Sequence, residues 1–234
     1  MIKTIGIGES WLAEKIAPWE RQLPAEIKLA YLPSPGQVKL RLTMSGSDPA
    51  AMRKAIDDQV QRLQPYAGKY IYGYDQDEIE QVIGDLLRKQ RQTLATAESC
   101  TGGYLAHLIT SVAGSSDYYQ GSIIAYANEV KERELGVSAA TLQKHGAVSE
   151  ETVSAMAEGV KNRLGTDYGL ATSGIAGPGG GTPDKPVGTV WIAVAHPHGT
   201  STKLLNLFKN REINIRLSAV FTLGLLWRIL TGKD

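Results

Sequence analysis

The chain has 234 residues, 42% of them hydrophobic, enough for one sizeable core and a second smaller one. Lys plus Arg number 25 against 24 Asp plus Glu, a formal charge of +1, so no global field draws the chain to nucleic acid or to a membrane surface. The single cysteine, Cys100, excludes an intrachain disulfide framework and a multi-cysteine metal site, and suits a reducing compartment. Lys3, Glu9, Glu14 and Lys15 stand where a signal peptide needs an apolar run, so secretion is not expected and a cytoplasmic location is.

In chain order, Met1 to Ile7 reads as a strand and Ser10 to Trp19 as a helix that is over before Pro24. Lys28 to Leu32, the turn Pro33-Ser34-Pro35-Gly36, and Gln37 to Met44 read as strand, turn and strand. Asp48-Pro49 pairs a capping oxygen with a first-turn proline, which predicts a helix to about Gln64; Lys69 to Tyr74 follows as a strand. Residues 1–75 are therefore expected to form a small α+β unit. Asp75 or Asp77 opens a helix to about Arg91 that leads into a second unit, 76–234.

From Thr93 onward strands and helices alternate. Strands are predicted at Thr93–Ala97, Gly121–Ala127, Tyr168–Ser173, Thr189–Ala195 and Thr202–Phe208, and helices near Thr101–Thr110, Val130–Leu135, Ser149–Arg163 and Arg211–Leu230. The alternation predicts a three-layer α/β/α domain, a sheet with helices on both faces. Only His196-Pro197-His198-Gly199 separates the last two strands, so they form a hairpin and the sheet is mixed. The apolar stretch Leu217 to Leu230, flanked by Arg216 and Arg228, is too short to span a bilayer and is expected to be a buried helix.

Four stretches of the second unit carry chemistry-bearing residues. Ala97-Glu98-Ser99-Cys100-Thr101-Gly102-Gly103 reads as strand, sharp turn and helix, placing a hydroxyl beside helix N–H groups. It also suits a simple helix cap. Tyr126-Ala127-Asn128-Glu129-Val130-Lys131 follows the next strand, so Ser99, Tyr126 and Lys131 can meet in the crevice beyond the strands' carboxyl ends. A lysine desolvated there can serve as a serine's base; on a solvated helix face it is only a charge. Ser173-Gly174-Ile175-Ala176-Gly177-Pro178-Gly179-Gly180-Gly181-Thr182 is a permissive loop suited to binding, with neither the Walker nor the dinucleotide pattern. Arg211 and Arg216, at the start of the last helix, can reach a phosphate. His107, His145, His196 and His198 show no zinc-ligand spacing, and no metal is expected.

These motifs, together with Gly114-Ser115-Ser116, His145-Gly146-Ala147-Val148-Ser149 and Lys185-Pro186-Val187-Gly188-Thr189, resemble the CinA C-terminal domain, also called the PncC or nicotinamide-nucleotide amidase family. The resemblance covers the chain from about Gln92. The first unit is similar to the small KH-like middle domain of full-length CinA proteins, through Gly6-Ile7-Gly8-Glu9-Ser10 and Gly36-Gln37-Val38-Lys39-Leu40-Arg41. The larger amino-terminal domain of such proteins has no counterpart, so the chain is expected to be a fragment or a shortened member.

The resemblance implies hydrolysis of the carboxamide of nicotinamide mononucleotide to nicotinic acid mononucleotide and ammonia, a step in pyridine nucleotide salvage. Ser99 is then the nucleophile, Lys131 the general base, and Tyr126 orders or relays the proton between them. Cys100, Thr101, Gly102 and Gly103 are the expected oxyanion or substrate-binding positions at the helix start. Asn128, Ser173, Gly174, Gly177, Gly179, Gly180, Arg211 and Arg216 are the other expected substrate contacts. Phe208-Lys209-Asn210-Arg211 departs from the Gly-Asp that often precedes the arginine in the family. No cofactor, nucleic acid or membrane is implied, and a homodimer is expected. A rival reading makes the domain a nucleotide-binding regulatory module without catalysis, and another makes the KH-like unit an RNA binder. No Gly-x-x-Gly clamp loop supports the latter.

Overall fold

The computed structural model describes residues 1–233, which fall into two compact units, 1–82 with 232–233 and 83–231. In the first unit β1 (Ile2–Ile5), α1 (Glu9–Glu20), β2 (Ile27–Ser34), β3 (Gln37–Met44), α2 (Pro49–Ala67) and β4 (Ile71–Tyr74) follow in order. The strands form an antiparallel sheet, β2-β3-β1-β4. Its core is Ile2, Val38, Leu40 and Ile71 from the sheet against Leu12, Ile16, Trp19, Leu63 and Ala67 from the helices. Asp48 caps α2, its Oδ1 accepting from the amides of Ala50 and Ala51 at 2.9 and 3.1 Å. The hairpin turn is shorter than expected: Ser34 pairs with Gln37, and Pro35-Gly36 turn alone, Gly36 at φ +78°.

Helix α3 (Ile79–Gln90) contains the division between the units at 82/83, where the sequence reading sets a boundary at 75/76. Glu78, just before α3, is ion-paired at 2.7 Å to Lys3 of β1, which ties these residues to the first unit.

The second unit runs β5 (Leu94–Glu98), α4 (Tyr104–Thr110), a 3-10 turn (Ser115–Asp117), β6 (Tyr119–Ile124), α5 (Asn128–Leu135), α6 (Ala139–His145), α7 (Glu150–Leu164), β7 (Tyr168–Gly174), β8 (Thr189–His196), β9 (Gly199–Asn206) and α8 (Arg211–Thr231). Its sheet has the order β6-β5-β7-β8-β9. Strand β5 is parallel to both neighbours, and β7-β8-β9 are antiparallel, so the sheet is mixed with a hairpin at the expected place. Val153, Met156, Ala157 and Val160 of α7 pack on the small side chains Ala95, Ala97, Ala171, Ala193 and Ala195. Ile215, Phe221 and Leu225 of α8 pack on Val190, Ile192 and Leu205, giving the layers α/β/α.

The alanine-lined face lets α7 approach the sheet backbone to backbone. A Cβ built on Gly169 of β7 would lie 2.1 Å from the Ala157 carbonyl oxygen, and one on Gly159 2.0 Å from that of Leu135. Neither glycine needs an unusual φ; what each needs is space. Gly169→Ala is expected to destabilise the second unit by about 1–3 kcal/mol through overpacking, read as a lower urea midpoint without a change in slope.

Two boundaries moved for identifiable reasons. Helix α4 begins at Tyr104 instead of Thr101, because residues 99–103 form a turn with Gly102 and Gly103 at φ +58° and +103°. Strand β6 ends at Ile124 instead of Ala127, because the Ala125 and Tyr126 carbonyls turn toward a lysine. Helix α6 ends at His145, where the sequence reading puts the end of a short helix; it buries none of its residues and so shows no apolar stripe, and Ser138, accepting from the Thr141 amide, marks its start. Helix α8 spans 21 residues and is by length and composition apolar enough to cross a membrane, unlike the shorter stretch expected. Leu217, Ala219, Leu223, Leu226 and Trp227 are buried, as expected of a core helix.

Candidate active site

Ser99 stands one residue beyond β5. Its amide continues the ladder to Thr172 O of β7 at 3.0 Å, and its carbonyl accepts from the Gly102 amide at 3.2 Å. Its hydroxyl has no hydrogen-bond partner among the described residues, although the residue is only 8% exposed. It opens on a cavity of about 210 Å³ lined also by Cys100, Tyr126, Asn128, Lys131, Ala147, Val148, Ser173, Gly174, Ala176 and Arg211. Among the described residues no carboxylate lines this cavity.

Lys131 comes from the first turns of α5 and is 1% exposed. Its Nζ donates to Ala125 O at 2.8 Å and Tyr126 O at 3.1 Å, and it makes no ion pair among the described residues. Burial holds its pKa below the usual lysine range. A neutral amine has two N–H bonds and one lone pair; here both N–H groups have carbonyl acceptors, which leaves the lone pair to receive a proton. Cys100 faces the same cavity, but burial among Ala176, Val190, Ile192 and Leu205 pushes its thiol up to about 12. At neutral pH it stays a thiol, a poor nucleophile.

The turn after Ser99 does not leave the α4 amides open to an anion, contrary to expectation. Glu98, completely buried, takes them. Its Oε2 accepts from Thr101 Oγ1 at 2.6 Å, the Gly103 amide at 2.9 Å and the Leu105 amide at 3.1 Å, and its Oε1 from the Ala106 amide at 2.8 Å. Thr101 also bonds Thr172 at 2.7 Å, so Thr101, Gly102 and Gly103 build the turn and do not line the cavity. In the turn itself, the amides of Cys100 and Thr101 have no acceptor among the described residues.

Tyr126 also differs from its expected placement. The residue is 62% exposed and its hydroxyl accepts from Arg211 Nη2 at 3.3 Å; among the described residues that hydroxyl bonds neither Ser99 nor Lys131. Arg211 Nη1 donates to Gly177 O at 2.8 Å, bridging the glycine loop to the end of β6. Ser173 and Gly174 line the cavity, whereas Gly177 enters only through that carbonyl, and Gly179, Gly180 and Arg216 lie outside the lining. Arg216 projects from α8 into solvent.

Three positioning groups were missed by sequence reasoning. Glu98 lies inside the motif Ala97-Glu98-Ser99-Cys100-Thr101-Gly102-Gly103, where its position alone does not distinguish it from an ordinary strand-end acid. Asn214, completely buried in α8, receives the Phe208 amide at 3.0 Å and donates to Ala176 O and Phe208 O at 3.0 and 2.8 Å. Its one signal is an amide side chain in the helix that carries the apolar stretch Leu217 to Leu230. Lys185 donates to His145 O at 2.9 Å and Val148 O at 2.8 Å, a link 37 residues or more along the chain that no local pattern reveals.

Fold and site together describe a small α+β unit followed by an α/β/α domain whose strand ends carry an unengaged serine beside a buried lysine. The chain belongs to the CinA family: residues 76–230 match the CinA C-terminal domain, and residues 1–73 the KH domain of damage-inducible protein CinA. It is 54% identical over 230 residues to a CinA-like protein of Cytophaga hutchinsonii, covering 98% of this chain and 55% of that one. It is 40% identical over 232 residues to a putative competence-damage inducible protein of Thermoanaerobacter pseudethanolicus, covering 99% and 56%. The chain thus spans about half the length of the curated relatives it matches. Among solved structures, a CinA superfamily protein of Klebsiella pneumoniae is similar with TM-score 0.63 and 31% identity, over 67% of this chain and 99% of that one. The competence/damage inducible protein CihA of Agrobacterium tumefaciens gives 0.60 and 33%, over 68% and 99%.

Proposed function

We propose that the second unit is a nicotinamide-nucleotide amidase that hydrolyses the carboxamide of nicotinamide mononucleotide through Ser99 and Lys131. The observation that carries the reading is Lys131: buried, without a carboxylate, its N–H groups held by two carbonyls, in the same small cavity as a serine hydroxyl with no partner. A lysine whose pKa burial lowers, and whose amine is positioned by carbonyls beside a hydroxyl, has the properties of a general base once it gives up its proton.

The Ser99 hydroxyl passes its proton to Lys131 as Oγ bonds to the carboxamide carbon. The amides of Cys100 and Thr101, the free donors of the turn, hold the oxyanion. Collapse breaks the carbon–nitrogen bond, and Lys131 returns the proton so that ammonia leaves. Lys131 then takes a proton from water, which attacks the acyl-serine; the Ser99 oxygen departs with that proton and the acid is released. Arg211 has guanidinium donors beyond its bonds to Gly177 and Tyr126, and these take the phosphate. A cavity lined by Arg211 and, among the described residues, by no carboxylate suits an anionic mononucleotide.

The test is ammonia release from nicotinamide mononucleotide by the wild-type chain and by Ser99→Ala and Cys100→Ala. Ser99→Ala is expected to abolish turnover, while Cys100→Ala keeps most of it, since the thiol is protonated and serves as a small apolar side chain. Binding of the nucleotide without turnover by the wild type would instead favour the regulatory module.

A further inference from the structure

Ala147 and Val148 of the segment 145–149, between α6 and α7, line the cavity, and every carbonyl from His145 to Val148 has a donor. His145 O and Val148 O accept from Lys185 Nζ at 2.9 and 2.8 Å. Gly146 O accepts from Thr152 Oγ1 at 2.7 Å and Ser149 Oγ at 3.1 Å. Ala147 O accepts from the buried Ser173 Oγ at 2.6 Å. In a trans peptide the carbonyl of one residue and the N–H of the next point in opposite directions. The amides of Ala147, Val148 and Ser149 are therefore turned away from these donors, and none of the three has an acceptor among the described residues.

Ala147 and Val148 line the cavity, and Ser173 brings them beside the nucleophile. Glu98 pairs with Thr172 in the parallel ladder, and the Ser99 amide extends that ladder to Thr172 O, so Ser173 follows at the level of Ser99 on the adjacent strand. The half-buried ammonium of Lys185, which makes no ion pair among the described residues, adds positive charge behind the strip. Side-chain donors on one side and successive unpaired amides on the other make a concavity for an acidic oxygen.

We propose that the amides of Ala147 and Val148 form a binding strip for an anionic oxygen of the substrate, with Lys185 and Ser173 as its positioning residues. The oxygen is either that of the phosphate ester or the one that develops on the carboxamide; both ask the same of the strip. The proposal rests on the amidase reading for its substrate, but its binding arm stands without turnover.

The experiment compares wild type, Lys185→Met, Lys185→Arg and Ser173→Ala. Calorimetry reads affinity for nicotinic acid mononucleotide, and steady-state kinetics use nicotinamide mononucleotide and its phosphate-free riboside, with circular dichroism reporting the fold. Lys185→Met, folded, is expected to bind the product about tenfold more weakly and to lose about 100-fold in kcat/KM for the nucleotide, with partial recovery in Lys185→Arg. A rise in KM confined to the nucleotide identifies the phosphate; a fall in kcat on both substrates identifies the carboxamide oxygen. Should Lys185→Met fail to fold, Ser173→Ala gives the same readings. Folded variants that bind product and turn over both substrates as wild type does would overturn the strip. If the wild type binds product without turnover, the amidase reading falls and the calorimetric arm alone decides for or against the strip.

Discussion

Lys131→Met is expected to lower amidase turnover by about 10³-fold or more, leaving nucleotide binding within reach of the wild-type value. Methionine keeps the length and apolar stem of the side chain and removes only the basic nitrogen, so the loss reports on proton transfer. The pH dependence carries a sign. Lys131 must be neutral to accept the serine proton, and burial lowers its pKa, so turnover rises with pH through a value below the usual lysine range and levels off above it. A thiolate mechanism predicts a different profile, rising only as the Cys100 thiol ionises near 12. An acid limb that persists unchanged in Lys131→Met would assign that limb to another group and remove the lysine from the mechanism.

Glu98→Ala is expected to cost the second unit about 3–5 kcal/mol, a fall of roughly 10 °C in its melting temperature. The substitution strips the acceptor from the Thr101 hydroxyl and from the amides of Gly103, Leu105 and Ala106 at once, in a site with no solvent to replace it. Glu98→Gln is milder but still costly, because its NH₂ faces a donor where the carboxylate offered a second acceptor. Hydrogen exchange locates the damage: protection of the Leu105 and Ala106 amides should collapse, while those of β8 hold. Activity should fall with it, since Ser99 rides on the turn that Glu98 fixes. Retained protection at Leu105 and Ala106 would mean another group caps α4.

The elements that could be read from sequence were those with a period or a cap. The pattern of β5, β7 and β8 and the short link before β9 led to a mixed sheet under helices, and Asp48-Pro49 marked α2 in the first unit. Ser99 and Lys131 could be brought to one cavity on paper because both follow neighbouring strands at their carboxyl ends, a rule of topology. What stayed hidden depended on side-chain direction. Nothing in Glu98-Ser99 announces that the acid turns inward and consumes the helix amides, or that Tyr126 turns outward to Arg211. The separation of Arg211 from Arg216 was illegible for the same reason: they lie on one helix, but only the first reaches the glycine loop. Lys185 and the carbonyls it holds are joined by tertiary structure alone.

The bond between Arg211 and Tyr126 has a kinetic meaning. A cavity whose guanidinium already leans on a phenol at 3.3 Å presents an arriving anion with a cation that is oriented in advance. The anion engages the guanidinium N–H groups that Gly177 and Tyr126 leave open, and entry demands little rearrangement of the chain. The capture of ligand is thereby governed by long-range attraction to the mouth, so its rate should fall as salt screens the charge, while the rate of escape changes little.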